Sequence, residues 1–284
     1  MNRAFYKKQM DIAGGRLIRL GQSLIDEGRA LIEKSKYISV SVLTRWCNDA
    51  ALAPFFLNHY AWADEIVILL NSDTTDNTRQ IIGRCRNARI VEFEFTSGFN
   101  GREANELINN VAAELQSDWI IAVDADEFVF LADGRDPREV LAEADGNLIY
   151  ADFWQIYRHR TEMDLDPTLP ALWLRRHGDP NRAAGANANY QKPIIVKAGL
   201  GVWWGVGLHN YTENPRVRVA SVRFDGAHWR MADPDLAVAR RLRGRRENVS
   251  AEDIENRWSY DNFDITEREI RAECAAHLND PQLF

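Results

Sequence analysis

From residue 38 onward the chain alternates short apolar runs with amphipathic stretches. Ile38 to Leu43 (ISVSVL) predicts a strand, and Glu65 to Leu70 (EIVILL) is apolar almost throughout, as in a strand covered on both faces of a parallel sheet. Between them Pro54 predicts the start of a helix carrying Phe55, Phe56, His59, Tyr60 and Trp62, since proline is tolerated in a first turn. Asp73 to Thr78 is rich in capping residues and leads into a predicted helix over Arg79 to Cys85. Arg89 to Phe95 alternates like a strand. Arg102 to Gln116 sets Ala104, Leu107, Ile108, Val111 and Leu115 on one helical stripe ahead of a further strand, Trp119 to Val123. This succession predicts an α/β fold with a doubly wound, mostly parallel central sheet joined by right-handed crossovers.

The pattern is looser on either side. Ile12, Leu17, Leu20, Leu24, Leu31 and Ile32 recur at helical intervals among charges, which predicts an amphipathic N-terminal segment over 1–36. Asp164 to Pro193 reads as a long loop or mobile lid, Val217 to Phe224 as a strand, and 233–248 and 251–279 as mainly helical. The expected partition is 1–36, a catalytic domain over 37–232, and a C-terminal helical segment over 233–284.

Composition changes the picture little. With 284 residues, 45% apolar and 27% charged, the chain is of ordinary globular type, with one principal domain and appendages. Cys47, Cys85 and Cys274 are isolated, which suggests neither a disulfide framework nor a zinc site. No apolar run is long enough to span a bilayer, and a cytosolic protein is expected. The net charge of -7 argues against a nucleic-acid partner. Two basic regions, the N-terminal segment and the run Arg240, Arg241, Arg243, Arg245 and Arg246, read as solvated helix faces or as contacts to phosphate or anionic lipid. The first of them allows peripheral contact with the inner membrane face, and an oligomer is equally open.

The candidate chemistry lies at Asp124-Ala125-Asp126, directly after an apolar strand. Carboxyl ends of strands are where open α/β sheets bind ligands. In extended backbone Asp124 and Asp126 point to one side and Glu127 away. Two carboxylates in one crevice invite a hard cation such as Mg²⁺ or Mn²⁺ that keeps substrate phosphates in its shell. An acidic turn ending a strand in solvent would look the same.

Three segments in order, Ser39 to Asp49 (SVSVLTRWCND), Ile66 to Thr78 (IVILLNSDTTDNT) and Asp118 to Phe128 (DWIIAVDADEF), resemble the signatures of family-2-like glycosyltransferases with the GT-A fold. Lys192 to Val196, Gly207 to His209 and His228 to Arg230 extend the likeness, more weakly, to a subgroup with a DADE motif. The resemblance implies a metal-dependent transferase that moves a sugar from a nucleotide-sugar donor to a cell-envelope glycan or lipid-linked acceptor. It implies nucleoside contacts at Thr44, Arg45, Asn48, Asn71 and Asp73, with Asn71 standing where the family usually has aspartate. It places Asp124 at the ribose or metal, Asp126 on the metal, and His209 as a further ligand. Lys192 faces the diphosphate or is an ordinary surface lysine, and His228 touches metal, phosphate or acceptor. Asp152, just past a fifth strand, and Glu213 are candidate bases for an inverting reaction, and a retaining one needs neither. Trp154 and Trp203 are the aromatic residues chosen for sugar contact. A sugar-phosphate nucleotidyltransferase or a non-catalytic carbohydrate-binding protein would be the alternative.

Overall fold

The computed structural model describes residues 37–95, 98–180, 190–243, 248–258 and 262–284, with Gln22 and Leu24. The N-terminal amphipathic segment expected over 1–36 otherwise lies outside the described residues, as do Arg245 and Arg246.

Residues 39–284 form one compact unit around a sheet. Its strands are β1 (Val40–Trp46), β2 (Glu65–Asn71), β3 (Ala88–Phe93), β4 (Trp119–Ala122), β5 (Glu127–Phe130), β6 (Leu148–Tyr157), β7 (Gln191–Lys197) and β8 (Phe224–Met231), in the order β3-β2-β1-β4-β7-β6-β8-β5. The pairings β3–β2, β2–β1, β1–β4 and β6–β8 are parallel, whereas β4–β7, β7–β6 and β8–β5 are antiparallel. The α/β class expected from the sequence is present, with the uninterrupted parallel arrangement confined to the first half.

The parallel strands are linked by helices α1 (Ala53–His59), α2 (Thr78–Ile82) and α3 (Gly101–Glu114). In β2, Ile66 to Leu70 have no exposed surface, the consequence of an all-apolar strand between two covered neighbours. Pro54 sits in the first turn of α1, and Asn100 caps α3 by accepting from the Glu103 amide. Ala104, Ile108 and Val111 turn inward from α3, one turn apart. Later come α4 (Pro137–Glu143), α5 (Ala171–Leu174), α6 (Pro234–Arg243), α7 (Ala251–Asn256) and α8 (Glu267–Ala276). A small second core of Tyr157, Met231, Ala237, Ile270 and Cys274 fastens α6 and α8 to the ends of β6 and β8. No helix among the described residues is long and apolar enough to cross a membrane.

Two expectations need correction. The strand predicted over 217–224 is absent: Val219 makes a lone bridge to Leu148, and β8 starts only at Phe224. Asn214 turns the chain by accepting from the Val217 amide, and the Asn147 side chain takes the Arg218 amide, so this stretch is held by side chains instead of a ladder. The long loop or mobile lid expected over 164–193 is, in its described part, mostly loop, but its last residues belong to a strand. It contains α5 and ends in β7, and Arg175 is fully buried, donating to the carbonyls of Met163, Leu174 and Ala232.

Candidate functional site

A cleft of about 1140 Å³ opens at the carboxyl ends of β1, β2 and β4. Its floor is the acidic triplet, which is not extended. The Glu127 amide donates to the Asp124 carbonyl (3.0 Å), and Glu127 Oε2 accepts from the Asp124 amide (3.0 Å), which closes residues 124–127 into a tight turn. The Trp229 amide holds the Asp126 carbonyl at 2.7 Å. Behind the turn, Tyr60 donates to the Glu127 carbonyl and accepts from the Val129 amide, both at 2.9 Å, so α1 fixes where β5 begins.

The turn brings both Asp124 and Asp126 to the cleft, as expected, but brings Glu127 there too, because alternation with period two fails once the backbone bends. Glu127 is 1% exposed and is bonded to Lys192 Nζ, which also reaches Asp124 Oδ2 at 3.2 Å. Burial pushes the Glu127 carboxyl up, against the pull of Lys192. Asp124 goes the other way, since Lys192 and Arg45 (Nη2 to Oδ1, 3.4 Å) outweigh its desolvation. Asp126 is held far below the usual carboxylate range: burial opposes this, but Arg240 Nη2 at 3.2 Å and His228 Nε2 at 3.5 Å prevail.

Arg240 also pairs with Asp49, past the end of β1, and Arg243 lies 3.3 Å from the same carboxylate while donating to the carbonyls of Cys47 and Asn48. Thus α6 reaches across to the β1 loop. Asn48, with φ of 53°, accepts from the Thr75 and Asp76 amides and ties that loop to the one after β2. Asn71 accepts from the Asp73 amide at 2.9 Å. Beyond them Phe93, Phe95 and Phe99 meet edge to face, with Arg45 stacked 5.5 Å over Phe99. Arg45 Nη1 is buried without a hydrogen-bond partner. His209 also lines the cleft, next to Gly207 at φ of 74°, where a β-carbon would strike the imidazole.

Of the residues singled out from sequence, Arg45, Asn48, Asn71, Asp73, Asp124, Asp126, Lys192, His209 and His228 line this one cleft. Five do not. Thr44 accepts from Trp46 Nε1 inside the sheet. Asp152 is forked onto Arg223, and Trp154 stacks with Phe130 and Phe284; β6 alternation sends Phe153, between them, to the cleft instead. Glu213 is exposed in a loop, and Trp203 is 45% exposed while its neighbour Trp204 is the buried one. Asp49 and Glu127 were not expected in the site, and Arg240 and Arg243, read from sequence as a solvated helix face or as contacts to phosphate or anionic lipid, line the cleft. A signal existed for Arg240: it lies one turn beyond the buried Ala237, on the inward face of α6.

No protein-family model and no curated protein matches the chain. Among solved structures it is similar to S. aureus TarS 1–349, at 14% identity over 85% of this chain and 71% of that one, with a TM-score of 0.41. The same protein in complex with UDP-GlcNAc gives 16% identity, coverage of 85% and 72%, and a TM-score of 0.41. Glucosyl-3-phosphoglycerate synthase from Mycobacterium tuberculosis, in complex with Mn²⁺, UDP and phosphoglyceric acid, gives 16% identity over 42% of this chain and 43% of that one, with a TM-score of 0.30. Values this low assign neither donor nor acceptor.

The Mg²⁺ or Mn²⁺ expected from the sequence does not fit the side chains as they stand. Among the described residues no three Asp, Glu, His or Cys side chains gather to hold an ion. Asp124 and Asp126, the oxygen donors expected for it, are each paired with two basic side chains. Four basic side chains, Arg45, Lys192, Arg240 and Arg243, converge here in a chain whose net charge is -7, and Arg45 Nη1 is left without an acceptor. The arrangement suits an anion.

Proposed function

We propose that this chain is a GT-A-type glycosyltransferase that takes a sugar from a nucleotide diphosphate donor. The observation that carries the reading is the convergence, at the carboxyl end of the parallel strands, of the Asp124–Asp126 turn with Arg45, Lys192, Arg240 and Arg243 in a single cleft. The loops after β1 and β2, with Asn48, Asn71 and Asp73, offer polar groups for a nucleoside, and Phe93 and Phe95 offer apolar faces beside them.

Cleaving the anomeric carbon–oxygen bond leaves negative charge on the departing diphosphate. Guanidinium and ammonium groups already fixed by ion pairs stabilise that charge without reorganising as it develops. The two aspartates accept hydrogen bonds from donor hydroxyls. Phe153 and Tyr190 give the remaining wall rings on which a glycan or lipid-linked sugar acceptor stacks. With Asp152 and Glu213 outside the cleft, neither is assigned as base.

A panel of nucleotide sugars, followed by release of nucleoside diphosphate with and without added Mn²⁺, tests the reading. Slow hydrolysis of one donor is expected, reduced about 100-fold or more in Asp126→Asn. Turnover of a nucleoside triphosphate with a sugar phosphate would replace the reading with a nucleotidyltransferase, and sugar binding with no nucleotide affinity would replace it with a non-catalytic binder.

A further inference from the structure

We propose that Arg240 takes the place of a divalent cation, so that the cleft binds a nucleoside diphosphate without metal. The inference rests on the nucleotide-sugar reading and deepens it by naming what holds the diphosphate.

Three observations meet. First, the floor carboxylates are already matched: Asp49 to Arg240 and Arg243, Asp124 to Arg45 and Lys192, Asp126 to Arg240 and His228, Glu127 to Lys192. A cation entering there must first evict a fixed one. Second, Arg45, Lys192, Arg240 and Arg243 converge on the cleft, and Arg45 Nη1 is buried with no hydrogen-bond partner. An orphaned guanidinium nitrogen among converging cations calls for anionic oxygen. Third, Arg240 is held as a ligand-binding group is. Its helix is anchored by Leu236 and Ala237, and the next residue, Arg241, is tied to Glu273 and Asn262. Arg240 Nη1 and Nη2 point to carboxylates on two different loops, which sets the plane of the guanidinium across the cleft floor. A guanidinium has five N–H donors in a rigid fork, so one engaged by two carboxylates keeps donors for phosphate oxygens.

The test is calorimetry of UDP, GDP and CDP against the wild-type protein in EDTA and in Mn²⁺, repeated with Arg240→Gln and Arg240→Lys. The accepted nucleotide is expected to bind in EDTA with a Kd within about threefold of its value in Mn²⁺. Arg240→Gln weakens that binding about tenfold or more and Arg240→Lys less, because lysine keeps the charge but not the fork. Displacement of the nucleotide by inorganic pyrophosphate in EDTA checks the same point on the wild-type protein, so a poorly folded variant does not decide the matter. Binding that appears only with Mn²⁺ overturns the inference while leaving the nucleotide-sugar reading intact, as does undiminished EDTA binding by a folded Arg240→Gln. Failure of all three nucleotides in both buffers sinks both.

Discussion

Lys192 is the residue whose removal most directly tests the electrostatic construction of the cleft floor. It is 5% exposed, its ammonium bonds Glu127, which is 1% exposed, and it reaches Asp124 Oδ2 at 3.2 Å. Lys192→Met keeps the length of the stem and deletes the charge. Two carboxylates are then left facing each other with Arg45 as the remaining direct partner of Asp124 and none for Glu127 but the more distant His228, and breaking a buried pair on one side costs about 3–5 kcal/mol. Glu127→Gln removes the charge on the other side while retaining an oxygen for the Asp124 amide. The double variant Lys192→Met/Glu127→Gln is expected to recover about 2 kcal/mol relative to the sum of the singles. Urea denaturation of the four proteins at pH 7 measures this. The pH dependence has a definite sign. Glu127 is an acid whose folded-state pKa is already raised, so protonation favours the folded form, and without Lys192 the raise is larger. The deficit of Lys192→Met therefore shrinks as pH falls from 7 towards 5. Single variants that each cost under about 1 kcal/mol, add without coupling and show no pH trend would refute a desolvated Asp124–Lys192–Glu127 cluster.

Other consequences are simpler. Burial lowers the His59 pKa to about 4, against the bond to the Val129 carbonyl, so the unfolded chain binds the extra proton first; stability is expected to fall as pH drops from about 6.5 towards 4, and a His59→Gln protein to show a flatter profile of urea midpoints. Gly226→Ala drives a methyl group into the Phe153 ring across the β6–β8 pair, costing about 1–3 kcal/mol in thermal or urea unfolding, part of which Phe153→Leu restores. Asp152→Asn is expected to leave nucleotide affinity and donor hydrolysis unchanged and to cost under about 1 kcal/mol, since its partner Arg223 is half exposed. Trp154→Ala destabilises by about 1–3 kcal/mol through lost contact with Phe130 and Phe284 and leaves nucleotide binding, read by calorimetry, as it was.

What was legible in the sequence, and what was not, follows from how far each feature depends on local pattern. The parallel half was open to view because Ile66 to Leu70 and Trp119 to Val123 are uniformly apolar, which in a chain of this composition marks a strand buried on both faces. Asp124 and Asp126 were found because they end such a strand. The orientation of Glu127 was missed because a hydrogen bond from its own amide bends the chain within three residues, and alternation holds only while the backbone stays extended. In β6 Trp154 stands out as an aromatic residue able to meet a sugar, yet Phe153 faces the cleft; the size of an aromatic ring says nothing about which face it is on. Pro193 hid β7, since proline inside a run argues against a strand, although its carbonyl is used by Trp204 Nε1.

The cations were hidden for a different reason. A net charge of -7 describes the surface as a whole, and a basic run near residue 240 looks like a solvated face when only charge is counted. Counting position instead of charge changes the answer: Leu236, Ala237 and Arg241 are buried, so the turn containing Arg240 cannot be the solvated one. A basic side chain on the inward face of a helix must find a carboxylate or an anion, because desolvating a lone charge is prohibitive. Here the carboxylates lie nearly two hundred positions earlier for Asp49 and more than a hundred for Asp126, at the ends of two parallel strands. Only the sheet order, which sets β1 beside β4, brings both to one guanidinium. The sequence therefore announces the need for a partner at Arg240 through helical spacing, and the topology alone names it.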